Sequence, residues 1–481
     1  MLCRSPEPSL VSKLSVVDEA LHINGSWKKI RLATPGGVTK RFGASLFVYN
    51  GYIYVLGGEK HSSFGPFYFD FWRLDLAKLD QWQALSECPI PPSVTRSISN
   101  QNIAVWNDVA YYFYGSSTLY CFDLIKMEWA PFKTTFKQDD VVRGSWPYPS
   151  QELRESTMTC LGGRLYVFGG HGLDNTQGSD LFLELDIARR QWRRLSGSPR
   201  LSGASLDSPG PRVSALSWVV PELSKVFLAF GHVNRIATRV LAPSESERRG
   251  GFNYPYDDLW SWDIRREQWT QERIRGNTPG PRSEMAAVYS LKLKKLITFG
   301  GYNPAAPHWN GAQITPFSYL ADTFVCDIIT AVAVDQPPTD DQGKCLEGME
   351  CRQVLTRGFP TYRARASLFE DPVSGKIYLF SGYFEQEFIP SLAIKGDVKC
   401  FSDIWQLRVD LPGGDFVGID VEEEARTAKA GPWQRCFSCG SVGSWKKCNG
   451  ACKGRAFFCD RECLKDGWKE HKIMHGCRKV T

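Results

Sequence analysis

The last 46 residues of this 481-residue chain hold seven of its fifteen cysteines, and six of these fall in pairs. Cys436 and Cys439 have two residues between them, while Cys448 and Cys452, and then Cys459 and Cys463, have three. His471, His475 and Cys477 follow. Spacings of this kind let one turn offer two ligands to a single ion, so four pairs mean two sites. Thiolate and imidazole donors in a tetrahedron suit zinc, and regular pairs that include histidine suit it better than an iron–sulfur cluster. The plain alternative, seven free thiols in a reducing compartment, does not explain ordered pairs followed by histidine. With protein groups in every coordination position, both ions would be structural and would carry no water to activate.

The eighth ligand is open between two residues. On a helix His471 and His475 share a face, whereas Gly476 would end that helix and swing in the softer thiolate of Cys477. A segment of about 50 residues with so little apolar content does not readily fold on a core of its own, and bound zinc adds on the order of 10 kcal/mol to such modules.

The other eight cysteines are scattered singly, which is the pattern of a reduced, intracellular protein and not of a disulfide framework. Cys345 and Cys351 have no matching cysteine or histidine pair, so no metal is read there. The opening MLCRSPEPSLVSKL has no apolar segment of signal-peptide length, and no run approaches the roughly 18 apolar residues of a membrane helix. The expectation is an intracellular protein of cytoplasm and/or nucleus, with no membrane partner. A hydrophobic content of 42%, with 28 Phe and 16 Trp, supplies a globular core. The net charge of +6 is C-terminal in origin: residues 431–481 carry 11 Lys/Arg against 4 Asp/Glu, the remainder 47 against 48. Bound thiolates would cancel much of that excess, which makes nucleic acid an unfavoured partner.

The rest of the chain repeats. Apolar stretches closed by glycine recur at Tyr52 to Gly58, Val109 to Gly115, Leu165 to Gly170, Val226 to Gly231, Leu296 to Gly301 and Ile377 to Gly382. Each reads as a buried strand ending in a tight turn. Upstream stands an arginine (Arg41, Arg96, Arg154, Arg212, Arg282, Arg363) before a segment of small residues; the regular recurrence argues for a structural pairing. Downstream comes a third strand, such as DFWRLDL from Asp70 or DDLWSWDI from Asp257. A Trp then marks a fourth strand in units one to four: Trp82, Trp129, Trp192 and Trp269. Units five and six lack it, while Trp27 stands before unit one with no unit of its own. Circular closure resolves this: the N-terminal segment supplies the outer strand of the last unit and removes an open sheet edge.

Units of about 50 residues with a glycine pair and a Trp resemble kelch repeats over most of the chain. The resemblance implies a mainly β fold, a six-bladed kelch-type β-propeller closed by the N-terminal strand, with a small α+β zinc-binding module appended. The expected divisions are a flexible start (1–14), the propeller (15–411), a linker (412–432) and the zinc module (433–481). Gly115-Ser116 in unit two and Ser381-Gly382 in unit six depart from the glycine pair. The tail, from Cys436 through Phe458-Cys459 to Trp468, His471 and Lys472, resembles a MYND zinc finger. That resemblance implies interleaved metals: Cys436, Cys439, Cys459 and Cys463 on one ion, and Cys448, Cys452, His471 and one further residue on the other. It also implies binding of short, often proline-rich peptides, against an aromatic wall that Trp445 or Trp468 would supply.

Three long loops, at 232–256, 302–320 and 383–401, emerge on one face of such a propeller. They make it the expected partner surface, with Phe252, Tyr254, Tyr256, Trp309 and Phe384 as aromatic candidates. The function these features indicate is a non-catalytic interaction scaffold in which that face and the zinc module each recruit a protein. An enzyme is the alternative from another class. The propeller region holds only five histidines and no defensible nucleophile or phosphate motif. A narrower version of the scaffold reading is a transcription or chromatin regulator using the basic tail.

Overall fold

The structure is a computed structural model, and it describes residues 21–34, 36–60, 67–90, 102–136, 153–172, 178–198, 207–235, 252–305, 308–309, 314–315, 317–329, 348–385, 398–418 and 434–478. The N-terminal 1–14, the linker from 419 onward and Arg96 lie outside these residues. The chain is mainly β, and among the described residues from His22 to Val409 one motif recurs six times: a four-stranded antiparallel sheet. The first strands are Ser45–Tyr49, Ile103–Trp106, Thr157–Leu161, Leu216–Val220, Ala286–Ser290 and Ser367–Glu370. Each lies against the first strand of the next unit, and that of the sixth unit lies against that of the first.

Backbone hydrogen bonds follow the same path. The N–H of Ser214 donates to Glu155 O, Glu284 to Ser214 O, Arg365 to Glu284 O and Gly43 to Arg365 O. Arg365 is also charge-paired at this centre. It contacts Glu155 from three units away and Glu284 at 3.0 Å. Burial alone would raise the Glu155 carboxyl, but the Arg365 guanidinium, with His171 and His232 nearby, holds it at about 2.

The sixth sheet is completed from the other end of the sequence. His22–Ile30 pairs antiparallel with Ile404–Val409, which sets Trp27 opposite Leu407. Trp192 opposite Leu185 and Trp269 opposite Trp262 occupy the same place in their own units. Unit five has a fourth strand without a Trp: Gly348–Thr356 pairs with Ser318–Ile329 along one edge and runs parallel to Arg273–Gly276 and then to His22–Gly25 along the other. Its hold comes from these two further pairings instead of a buried indole. Cys326 and Cys351 stand directly opposite each other on these strands and form a disulfide, so two of the eight scattered cysteines are paired, contrary to expectation. The two cysteines lie 25 apart in sequence, and only the strand register brings them together.

The glycine pattern is cleaner in space than in sequence. The second position of the turn is glycine in all six units: Gly58, Gly115, Gly170, Gly231, Gly301 and Gly382, with φ between 82° and 102°. A Cβ there would come within 3.0 Å of other atoms in every unit. The first position tolerates Phe230 and Ser381 in the left-handed region, and in unit two Tyr114 occupies it, so the turn there is Tyr114-Gly115 and not Gly115-Ser116.

The recurring arginines are buried ion pairs. Arg41, Arg212, Arg282 and Arg363 are at most 4% exposed and grip Asp70, Asp258, Asp322 and Asp403 in two-pronged bonds of 2.5–3.3 Å. Each also donates to the carbonyl of the first turn position: Gly57, Phe230, Gly300 and Ser381. Arg154 does not belong to this set. It takes the next position along, bridging His171, as Phe42 bridges Glu59. Leu153 fills the arginine's place and Leu181 the aspartate's, each 1% exposed within one apolar cluster, an exchange of a buried ion pair for two apolar side chains that costs little.

Removing one partner of a buried pair is a different matter, because the other charge is stranded. Arg363→Ala should lower stability by about 3–5 kcal/mol, measured as the shift in denaturant midpoint. A shift below about 1 kcal/mol would contradict the assignment.

Candidate metal centre

Four short strands and two helices carry the C-terminal ligands. Gln434–Arg435 pairs with Val442–Gly443 and Lys446–Lys447 with Phe457–Phe458, and the helices are Arg461–Asp466 and Trp468–His475. Asp460 caps the first helix, its carboxylate accepting from Cys463 N at 2.7 Å, which fixes where the Cys463 thiol points. Gly476 ends the second helix in the left-handed conformation, φ 57°, turning the chain so that Cys477 folds back.

The side chains meet in two groups. Cys436, Cys439, Cys459 and Cys463 form one, Cys448, Cys452, His471 and Cys477 the other, and within each all donor atoms lie within 4.8 Å of one another. Sγ separations are 3.7 Å for Cys439 and Cys459 and 3.8 Å for Cys448 and Cys477. A disulfide needs about 2.05 Å. Two thiolates held at about 2.3 Å from a tetrahedral ion stand about 3.8 Å apart, so both groups have the dimensions of a metal cage.

Two further observations bear on the fit. His471 is fully buried and neither ring nitrogen has a hydrogen-bond partner, a costly state for an imidazole unless something else engages it. Burial, and next the neighbouring His475, lower its pKa, which favours the neutral form that ligates. In the first group, hydrogen bonds with the other three thiols pull Cys436 far below the ordinary thiol range and push Cys463 far above it. Four thiols so close cannot all ionise without a cation among them. The two clusters can therefore hold two metal ions.

His475 is in neither group. Its ring lies 5.1 Å from that of His471 and 5.5 Å from that of Phe437, in a packing position against the helix's own face.

The module is not set apart from the sheets. Phe359 and Val442 exchange backbone hydrogen bonds of 3.0 and 3.1 Å, Arg435 lies over Tyr362, and Phe401, Phe384 and Tyr383 share one apolar cluster with Phe437, Phe458 and the cysteines of the first group. The deciding polar contact comes from the closing strand. Lys29 Nζ donates to Asp460 Oδ2 at 2.6 Å, to Cys459 Sγ at 3.4 Å and to Cys463 Sγ at 3.7 Å. Burial alone would lower the Lys29 pKa, but Cys463, Cys439, Asp403 and Cys459 hold it well above the ordinary lysine value. Lys40 adds a surface pair to Asp466.

This docking covers part of the face expected to bind partners. Phe384 is 1% exposed beneath the module. Tyr256 is stacked on Arg212 and donates to Pro211 O. Tyr254 is exposed, and the side chains of Phe252 and Trp309 lie outside the described residues. Trp445 and Trp468 are both half-buried, the former donating to Ser441 O at 2.9 Å.

Residues 152–199 match the Kelch motif family. The match covers the third four-stranded unit, in which Leu153 and Leu181 stand in place of the Arg–Asp pair. No curated protein matches the chain. The Kelch motif points to a protein-interaction scaffold, and no helix among the described residues is long and apolar enough to cross a membrane.

Sequence reasoning had no route to Lys29 or to Arg365. A lysine in an exposed-looking KK pair carries no mark of a partner 430 residues away.

Single substitutions separate the two candidates for the eighth ligand. Cys477→Ala should release one of two bound metal equivalents and His475→Ala should keep both, as counted by elemental analysis of purified protein. Loss on His475→Ala with retention on Cys477→Ala would reverse the assignment.

Proposed function

We propose that this protein is a non-catalytic interaction scaffold: a six-bladed kelch-type propeller, spanning 15–411, with a MYND-type zinc finger at 433–481 joined to it by the 412–432 linker. The observation that carries the reading is the pair of donor groups, each offering four protein ligands to one ion. Seven thiolates and one imidazole are soft donors in a tetrahedral set, which favours zinc over harder or six-coordinate ions. Cys436, Cys439, Cys459 and Cys463 would hold one ion, and Cys448, Cys452, His471 and Cys477 the other. When bound, such ions supply folding energy and no reactive site, because no coordination position is left for water or substrate.

The interleaving of the ligands supports the MYND reading, since it closes a short segment into one unit through two crossing loops. The ring order of the six sheets, with the N-terminal strand completing the sixth, supports the propeller, which leaves no long sheet edge to aggregate. Partner recruitment belongs to the zinc module and to the uncovered part of the loop face near Tyr254. An intracellular site suits the seven thiols kept for metal.

The experiment uses the full chain with Cys436→Ser and Cys448→Ser, one ligand from each group. The wild type should carry two zinc ions, and the double variant should lose both, together with a subset of the proteins captured by the wild type, while the remaining sheet signal in circular dichroism persists. Fewer than two ions in the wild type, an exchangeable solvent ligand on either, or an unchanged set of captured proteins would contradict the reading.

A further inference from the structure

Between the docked zinc module and the strand that closes the sixth sheet runs a groove lined by both. Its apolar walls are Ile30 and Leu32 from the closing segment and Trp445, Leu464 and Trp468 from the module, all only partly buried. Its charged rim is one-sided. Arg31, Lys446, Lys447 and Arg461 are exposed along it, against Glu462. The other carboxylate at the groove, Asp460, is already bonded to Lys29 and to Cys463 N. Unbalanced cations around an apolar floor select a ligand that brings carboxylates as well as apolar side chains.

The backbone at the groove is also incompletely paired. Among the described residues, Lys446–Lys447 pairs only with Phe457–Phe458. Among the described residues, the closing strand has a neighbour on its outer side only over His22–Gly25, and none of them pairs with its edge from Ser26 to Ile30. An edge of this kind accepts an extended chain, whose side chains then alternate between the floor and the rim.

We infer that this groove binds an extended, acidic segment of a partner protein, with apolar residues on one face and Asp or Glu on the other. The inference rests on the interaction reading above and deepens it. The site is composite: neither the sheets nor the zinc module forms it alone, so the partner reads the docked arrangement of both.

The test measures fluorescence anisotropy of three ten-residue peptides against the full, zinc-loaded chain: valine alternating with glutamate, with serine and with lysine. The glutamate peptide should bind tightest, with affinity that falls as salt is raised. Arg31→Glu and Lys446→Glu, both charge reversals on exposed side chains away from the ligand atoms, should each weaken it roughly tenfold while the chain keeps two zinc ions. Equal binding of the glutamate and serine peptides, unchanged in both variants, would overturn the groove and leave the interaction reading standing. Tighter binding of a ten-nucleotide single-stranded DNA than of any peptide would overturn the groove as a protein site. Failure of all three peptides to bind a fully loaded chain would overturn the inference, and the protein-capture comparison then decides the broader reading separately.

Discussion

A partly buried lysine ammonium set against a cluster of cysteine sulfurs makes one structure of two regions 430 residues apart. Four thiolates around a divalent ion leave two negative charges in a site screened from water, and burying such charge is expensive unless a cation lies close. Lys29 is that cation. It sits on the strand that completes the sixth sheet, so the group that would neutralise a metal held by the four thiols comes from the N-terminal strand. The same lysine would be costly to bury without the cage. Each burial is therefore conditional on the other, and the apolar contacts of Phe401 and Phe384 with Phe437 and Phe458 add area to a junction that charge has already positioned.

The same logic of paired burial runs through the six units. Four of them bury an arginine, and each does so by presenting an aspartate at the head of the third strand and a carbonyl of the turn. The turn can offer that carbonyl because its second residue is glycine and lets the backbone approach. Unit three dispenses with the ion pair and buries Leu153 and Leu181 in one apolar cluster. Ion pair and apolar pair are thus interchangeable solutions to one packing problem, as expected when desolvation cancels most of the Coulombic gain.

How much of this was legible in the sequence depended on whether the signal was local. Strand runs, turn glycines and metal-ligand spacings are short-range patterns, and they marked all six units and all the donor residues. Trp27 was legible as a closing strand because the repeat left it without a unit. Arg154 was misplaced because an arginine one residue out of phase looks the same in a string, and only the bridge to His171 reveals the slip. Tyr114 hid a turn position for the same reason. The Cys326–Cys351 pairing depended on strand register, and the seat of the C-terminal module on Lys29, Phe359 and Tyr362. None of these carries a mark of its distant partner. The choice between His475 and Cys477 turned on the left-handed Gly476, which sequence named as one of two options.

The claim at the centre of this account is that metal cage and closing strand stabilise each other through Lys29. Amide hydrogen exchange of the loaded wild type, with and without a chelator, and of Lys29→Met, measures it most directly. Protection of residues 22–30 should fall on chelation in the wild type, and should already be low and unresponsive to chelator in Lys29→Met, while the inner strands of units two and three stay protected throughout. Unchanged protection of 22–30 after the metal is removed would contradict the account.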